Sequence, residues 1–311
     1  MKTSTDSPLV RHALNGPTMG TRYAAIFHAP EHLATAALAQ ALSDAVDRVD
    51  QQMSSWKPDS DLNRLNAAPV GAWVTLPPEL MTVLAEGLRI GRASGGAFDM
   101  GVGGLVAAWG FGPGAGKAEP GRIAAASAAT RPSTMQALQL DPASSRARKT
   151  EALCLDLSGI AKGFGVDEMA RVMDGFGIPA WLVGIDGEMR ARGTKPDGTP
   201  WAVAHERPDR HSREAMGVIE LSDMAVATSG SYRHWAEVEG RIVSHTMDPA
   251  RRAPLENDLA SVSVLAPSCM AADAWATAFM VLGAAAAAPL AERHGLGTIF
   301  VRSDGSVQAR I

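Results

Sequence analysis

Apolar positions change their spacing along this chain. Between Leu33 and Met53, Leu33, Ala37, Val46, Val49 and Met53 recur at roughly helical intervals, which predicts a long amphipathic helix. The polar stretch "MSSWKPDSDLNRLN" then reads as a turn. "LPPELMTVLAEGLRIGRAS" predicts a second helix, with Pro78 in its first turn, Glu79 near its positive end and Gly95-Gly96 as its stop. "GGAFDMGVGGLVAAWGFGPGAGKAEPGR" holds too much glycine for regular structure throughout, and an alanine-rich, proline-broken linker follows to about Pro142.

From Leu153 the pattern shortens. "LCLDLS", "AWLVGIDGEMRARG", "WAVAHE", "MGVIELSDMAVATSG", "RIVSHTMD" and "ASVSVLA" read as strands bounded by turn residues. Three helices interrupt or follow them: "IAKGFGVDEMARVMDGFG", "AADAWATAFMVLG" and "AAAAPLAERHG". The chain closes on "TIFVRSDGSVQARI", where Asp304-Gly305 is a hairpin signal. Strands and helices do not alternate one for one, which predicts an α+β fold rather than a doubly wound parallel sheet. A chain of 311 residues makes one domain over 1–311, or two intimately packed subdomains.

The formal net charge of −4 is spread over interspersed acidic and basic residues, which argues against a nucleic-acid partner. No run of about 18 uninterrupted apolar residues predicts a membrane span. The chain as written shows neither a secretory apolar run nor a lipoprotein-type cysteine near its start, so the expectation is a cytoplasmic protein. Cys154 and Cys269 sit in apolar contexts and read as reduced core thiols.

Asp273 and Thr277 lie four apart, on one face of the expected helix. A carboxylate above a hydroxyl suits Mg2+; equally, Asp273 can complement a helix dipole while Thr277 is merely buried. In "DLSGIAKGFGVDE", Lys162 stands at a strand-to-helix turn against the dipole, a placement that an anionic ligand explains and a solvated lysine also allows. Asp167 contacts that ligand or faces solvent. A phosphate loop is excluded, because Phe111 replaces a required glycine and Ala118 follows Lys117. Trp56, Phe98 and Trp109 offer either a stacking surface or core packing. His245, beside the turn at Asp248-Pro249, is a candidate proton acceptor or a structural residue. His28, His205 and His234 show no metal-site spacing, and neither GxSxG nor CxxC occurs.

In order along the chain, "NGPTMGTRYAA", "MSSWKPDSDLNRLN", "GGAFDMGVGGLVAAWGFG", "LDLSGIAKGFGVDEMA", "LVGIDGEMRARG", "PWAVAHERP", "AVATSGSYRHW", "VSHTMDP" and "AADAWATAFMVLG" resemble the ApbE family of FAD:protein FMN transferases. The resemblance covers nearly the whole chain from about Asn15. It implies a T-fold-like α+β architecture with antiparallel or mixed sheets. It also implies FAD as substrate, Mg2+ as cofactor, and transfer of FMN to a Thr or Ser hydroxyl of an acceptor protein, with AMP released. On this resemblance Asp273, Thr277 and the carbonyl of Ala161 are the metal ligands. Lys162 neutralises pyrophosphate charge and His245 deprotonates the acceptor. Met19, Trp56, Phe98, Asp99, Ser158, Lys162, Asp167 and Met247 fall where the family contacts FAD. An FAD pyrophosphatase that uses water, and an FAD-binding protein without turnover, remain alternatives. The chain departs from the family at Asp186, which stands where a first glycine is common, and at Trp56, where tyrosine is frequent.

Overall fold

Two strands, Leu9–Thr18 and Thr21–Pro30, open the fold, joined through Met19 and Gly20, both at positive φ as a tight hairpin requires. Tyr23, Ala25, Phe27 and Ala29 are buried at alternate positions, the period of a sheet with one face on a core. The elements expected from the sequence begin only at Leu33, so this hairpin is an addition to them. The structure is a computed structural model that describes residues 8–113, 118–129, 132–233, 235–238 and 240–311. Lys117, His234 and the first seven residues, on which part of the leader reading rests, lie outside the described residues.

The hairpin continues into an eight-stranded sheet whose strands lie side by side in chain order. After it come Trp181–Ile185, Glu188–Arg192, Ala225–Gly230, Leu259–Ala266, Gly297–Arg302 and Val307–Arg310, every neighbouring pair antiparallel. One face carries the helices Thr35–Met53, Ala161–Gly175 and Cys269–Arg293. The hairpin Trp201–Glu206/Ala215–Leu221 covers the other, where Trp201, Ile219 and Leu221 pack on Leu182, Leu265 and Ile299. The fold is α+β, as expected.

Several expectations need correction. In the helix Thr35–Met53 the buried stripe runs through Leu38, Leu42, Val46 and Val49, while Ala37 is exposed. "DLNRLN" is not turn but the helix Asp61–Ala67, because the Ser60 hydroxyl accepts the Asn63 N–H and Leu62 and Leu65 are buried. The glycine- and alanine-rich region contains the short helices Gly103–Ala108 and Pro120–Ala128. "LCLDLS" forms only an isolated bridge from Cys154 to Val102, since its N–H groups at Leu155 and Asp156 go to Asn66 Oδ1 and to the Met100 carbonyl. Cys154 is exposed, so only Cys269 is a core thiol.

The segment Cys269–Arg293 is long and apolar enough to cross a membrane by composition alone. It contains buried Asp273, and Gly283, at φ +75°, breaks its helical path, which matches the two helices read from the sequence. Its first half crosses the helix Ala161–Gly175 at Gly163. A Cβ there would sit 2.4 Å from the Cys269 carbonyl oxygen and 2.8 Å from Asp273 Cβ, so only glycine permits this approach. At the crossing the helices exchange carboxylates. Asp273 Oδ2 accepts the Gly163 N–H at 3.0 Å, and Asp167 accepts the N–H groups of Cys269 and Met270, each at 2.9 Å. Each carboxylate therefore satisfies first-turn donors that a helix leaves free. Gly163→Ala is expected to cost roughly 1–3 kcal/mol by over-packing; urea unfolding with an unshifted midpoint would contradict this close contact.

Candidate active site

Beside this crossing lies a cavity of about 1510 Å3. It opens where the first hairpin turn, the turn after Met53, the loop after Phe98, the start of the Ala161 helix and the Asp186-Gly187 turn meet. Met19, Trp56, Phe98, Asp99, Ser158, Ala161, Lys162, His245, Met247, Asp273 and Thr277 all border it, residues scattered over nearly the whole sequence. Lys162, Asp273 and Thr277 come together because their two helices cross there.

Lys162 Nζ lies 2.8 Å from Glu188 Oε1 and 3.8 Å from Asp186 Oδ2. Glu188 is almost fully buried, and its Oε2 has no hydrogen-bond partner among the described residues. Burial pushes its carboxyl up against the pull of Lys162. Burial pulls Lys162 down, but Glu188, Asp273 and Asp186 outweigh it and hold the ammonium above the ordinary lysine value. Burial, reinforced by Glu188, raises Asp273 to about 7 although Lys162 and the Gly163 N–H oppose it. Three carboxyls crowded around one ammonium in a poorly solvated place resist ionising together, and a bound cation would favour their charged forms.

Thr277 Oγ1 stands 3.1 Å from Ser229 Oγ, and Gly159 leaves room beside it, since a Cβ there would be 2.9 Å from that oxygen. Among the described residues no three His, Cys, Asp or Glu side chains gather as a ligand cage. The donors on offer are a carboxylate, hydroxyls and backbone carbonyls. That hard, sparse oxygen set fits Mg2+, which keeps waters and takes substrate phosphates for its remaining positions.

The remaining residues differ in what they present. Trp56 is 67% exposed at the rim, whereas Phe98 and Met247 are buried in the wall. Asp99 lines the cavity but anchors its own loop, with Oδ1 accepting from the Gly101 and Thr134 N–H groups and from the Thr134 hydroxyl. Ser158 donates its hydroxyl to Asp156. The His245 ring meets Phe111 edge-on, with centroids 6.3 Å apart. Trp109 does not border the cavity.

Asp167 requires correction. It lies beneath the wall rather than on it, 4% exposed, with both oxygens taken by the Cys269 and Met270 N–H groups and with Arg190 Nη1 at 2.6 Å. It faces neither ligand nor solvent; it holds the Cys269 helix in place.

Glu188 is the residue that motif reading passed over. The signal was its register: it pairs with the wholly buried Ile185 across the Asp186-Gly187 turn, and so must face the core. Ser229, likewise, was hidden in a strand.

Fold and site together define an α+β protein whose cavity can take a polyanionic ligand and a hard cation. The pattern of the ApbE family matches residues 19–300, and the chain belongs to that family. It is 33% identical over 307 residues to the FAD:protein FMN transferase of Salmonella typhimurium, covering 98% of this chain and 87% of that one. The Haemophilus influenzae FAD:protein FMN transferase is 35% identical over 303 residues, 94% of this chain and 87% of that protein. The crystal structure of the Pseudomonas stutzeri flavinyl transferase ApbE superposes with a TM-score of 0.84 at 36% identity, covering 97% of this chain and 95% of that one. For the flavin transferase ApbE from Vibrio cholerae the TM-score is 0.85 at 34% identity, over 97% of both chains.

Asp167→Asn is expected to lose roughly 2–4 kcal/mol of stability, because a buried charge-assisted cap is weakened and Arg190 loses its partner. FAD affinity of the folded fraction is expected to change less than about threefold, since the side chain is outside the cavity. Denaturant titration and fluorescence binding check the two halves separately; a large loss of affinity at unchanged stability would return Asp167 to the ligand site.

Proposed function

We propose that this protein transfers the FMN half of FAD to a Thr or Ser hydroxyl of an acceptor protein and releases AMP. The observation that carries this reading is the Lys162–Glu188–Asp273 cluster facing Thr277 and Ser229 inside the cavity. Relatives at 33–35% identity that bear the name FAD:protein FMN transferase support it.

The acceptor oxygen attacks the phosphorus of the FMN half, and the anhydride bond to the AMP phosphate breaks, with its electron pair leaving on AMP. Phosphoryl chemistry of this kind depends on positioning and charge neutralisation more than on covalent help from the protein. Lys162, held by Glu188, supplies a fixed positive charge to the pyrophosphate. His245, half-buried in the wall, takes the proton from the attacking hydroxyl. Phe98 and Trp56 provide flat surface for a ring, one in the wall and one at the rim. Asp273, Thr277 and the Ala161 carbonyl would hold Mg2+. When bound, the metal adds Lewis-acid neutralisation of the pyrophosphate oxygens.

Mass spectrometry tests the reading directly, with a peptide carrying Asp-x-x-Thr-Gly-Ala-Thr, an instance of the Asp-x-x-Ser/Thr-Gly-Ala-Ser/Thr acceptor pattern that the family resemblance implies, incubated with the protein, FAD and Mg2+. A gain of FMN minus water on a Thr, lost with EDTA, is the expected result. Release of FMN and AMP from FAD with the peptide unmodified would replace transfer by hydrolysis.

Two variants sharpen the assignment. Asp273→Asn keeps an oxygen for the Gly163 N–H, so the fold is expected to survive, while metal-dependent turnover falls by at least about a hundredfold. Turnover with an unaltered Mg2+ requirement would remove Asp273 from the metal site. His245→Ala is expected to slow transfer roughly 10²–10⁴-fold with little change in FAD affinity, the range for losing a general base; stopped-flow fluorescence and product chromatography separate these.

A further inference from the structure

The strand Ala225–Gly230 is paired along its whole length with Leu259–Ala266, Ala225 facing Ala266 and Gly230 facing Ser261. On its other side it is paired only at Ala225 and Val226, with Arg190 and Met189. The neighbouring strand begins at Glu188, just after the Asp186-Gly187 turn, so beyond Val226 the sheet forks. This fork borders the cavity.

Hydrogen bonds at the two ends of the strand show which groups face the fork. The Ser231 N–H donates to the Ala260 carbonyl at 3.1 Å on one side, and the Ala191 N–H donates to the Met224 carbonyl at 2.9 Å on the other. Backbone groups of an antiparallel strand point alternately to its two sides. Ala225, Ala227 and Ser229 therefore serve Leu259–Ala266, while Thr228 and Gly230 direct N–H and C=O into the fork. Continued in register, Thr228 would face Gly187, but among the described residues no backbone hydrogen bond joins them. Such an edge is a ready template for another chain.

We propose that the acceptor protein docks on this edge, with an extended segment adding as an antiparallel strand along Thr228–Gly230. The proposal rests on the transfer reading above. A residue directly opposite Ser229 shares its face of the sheet, with Cβ atoms about 4.5–5.5 Å apart. Ser229 Oγ is 3.1 Å from Thr277 Oγ1, so a Thr or Ser at that register carries its hydroxyl to the face that holds Thr277. Its two neighbours bond to Thr228 and Gly230, and its own N–H points away from the enzyme. Main-chain pairing supplies affinity and the register selects which hydroxyl reacts. The cavity's 1510 Å3 exceeds the roughly 300–1,000 Å3 common for a small-molecule site, and leaves room for a peptide beside a dinucleotide.

A backbone N-methyl scan of the Asp-x-x-Thr-Gly-Ala-Thr peptide tests this with the unaltered enzyme, FAD and Mg2+. Methylation of the residue before or after the modified Thr removes a donor to the edge and is expected to slow modification by roughly tenfold or more. Methylation of the modified Thr itself is expected to change the rate less than about threefold, because its N–H lies on the far side. A flat profile, or the opposite alternation, with the unmethylated peptide still modified, would overturn the docking mode and leave the transfer reading intact. Failure of the unmethylated peptide to be modified while FAD is hydrolysed would overturn both.

Discussion

Helix N-termini carry N–H groups that nothing within the helix can satisfy, and here two helices satisfy each other's. Asp167 on one accepts from the first residues of the other, and Asp273 on the second accepts from Gly163 in the first turn of the first. The exchange requires the backbones to approach within side-chain exclusion distance, which Gly163 allows. Everything at the candidate site follows from that approach. It brings Lys162 beside Asp273 and lays the Ala161 helix on the strand Glu188–Arg192. There Lys162 meets Glu188, and Asp167 meets Arg190, two ion pairs of opposite sense. Five helical residues rise about 7.5 Å and two strand residues about 6.8 Å, so the same spacing serves both pairs.

This arrangement divides labour between carboxylates that look alike in sequence. Asp167 has spent both oxygens on the scaffold, so its charge is already matched. Asp273 has spent one, and Glu188 keeps an oxygen with no hydrogen-bond partner among the described residues. Carboxyls that resist ionising thus gather on the cavity side of the helix crossing, and the matched pair of Asp167 and Arg190 lies on the side away from it. Carboxyls crowded around one ammonium in so poorly solvated a place make the cluster a weak stabiliser of the fold.

Much of this was legible in the residues. Hydrophobic period marked both large helices of the N-terminal half and most strands after Leu153, and Gly283 divided the last helical run as the structure divides it. Lys162, Asp273 and Thr277 stood out because each contradicts its local surroundings: a cation at the wrong helix end, a carboxylate and a hydroxyl in an apolar run. Asp167 was misjudged for the converse reason. An aspartate in a helix has no local conflict to resolve, and its true partners are about a hundred residues away in sequence. Glu188 and Ser229 were missed because the facing of a strand residue depends on register, which only the paired neighbours reveal. The first hairpin was missed because the strand Thr21–Pro30 carries small and apolar residues on both faces, Ile26 packing under the covering hairpin opposite Tyr23, Ala25 and Phe27, which blurs the alternation.

The chain-order sheet has one discontinuity. The strand Thr21–Pro30 pairs with Trp181–Ile185, and the whole of 31–180 lies between them, whereas every later pair is closer in sequence. During synthesis the first hairpin leaves the ribosome before the strand Trp181–Ile185, with Tyr23, Ala25 and Phe27 on one side and an open edge along Thr21–Pro30. At about 5–20 residues per second, its partner strand follows roughly 8–30 s later. For that interval the edge along Thr21–Pro30 lacks the strand that closes it, and such an open edge is a template for wrong pairing.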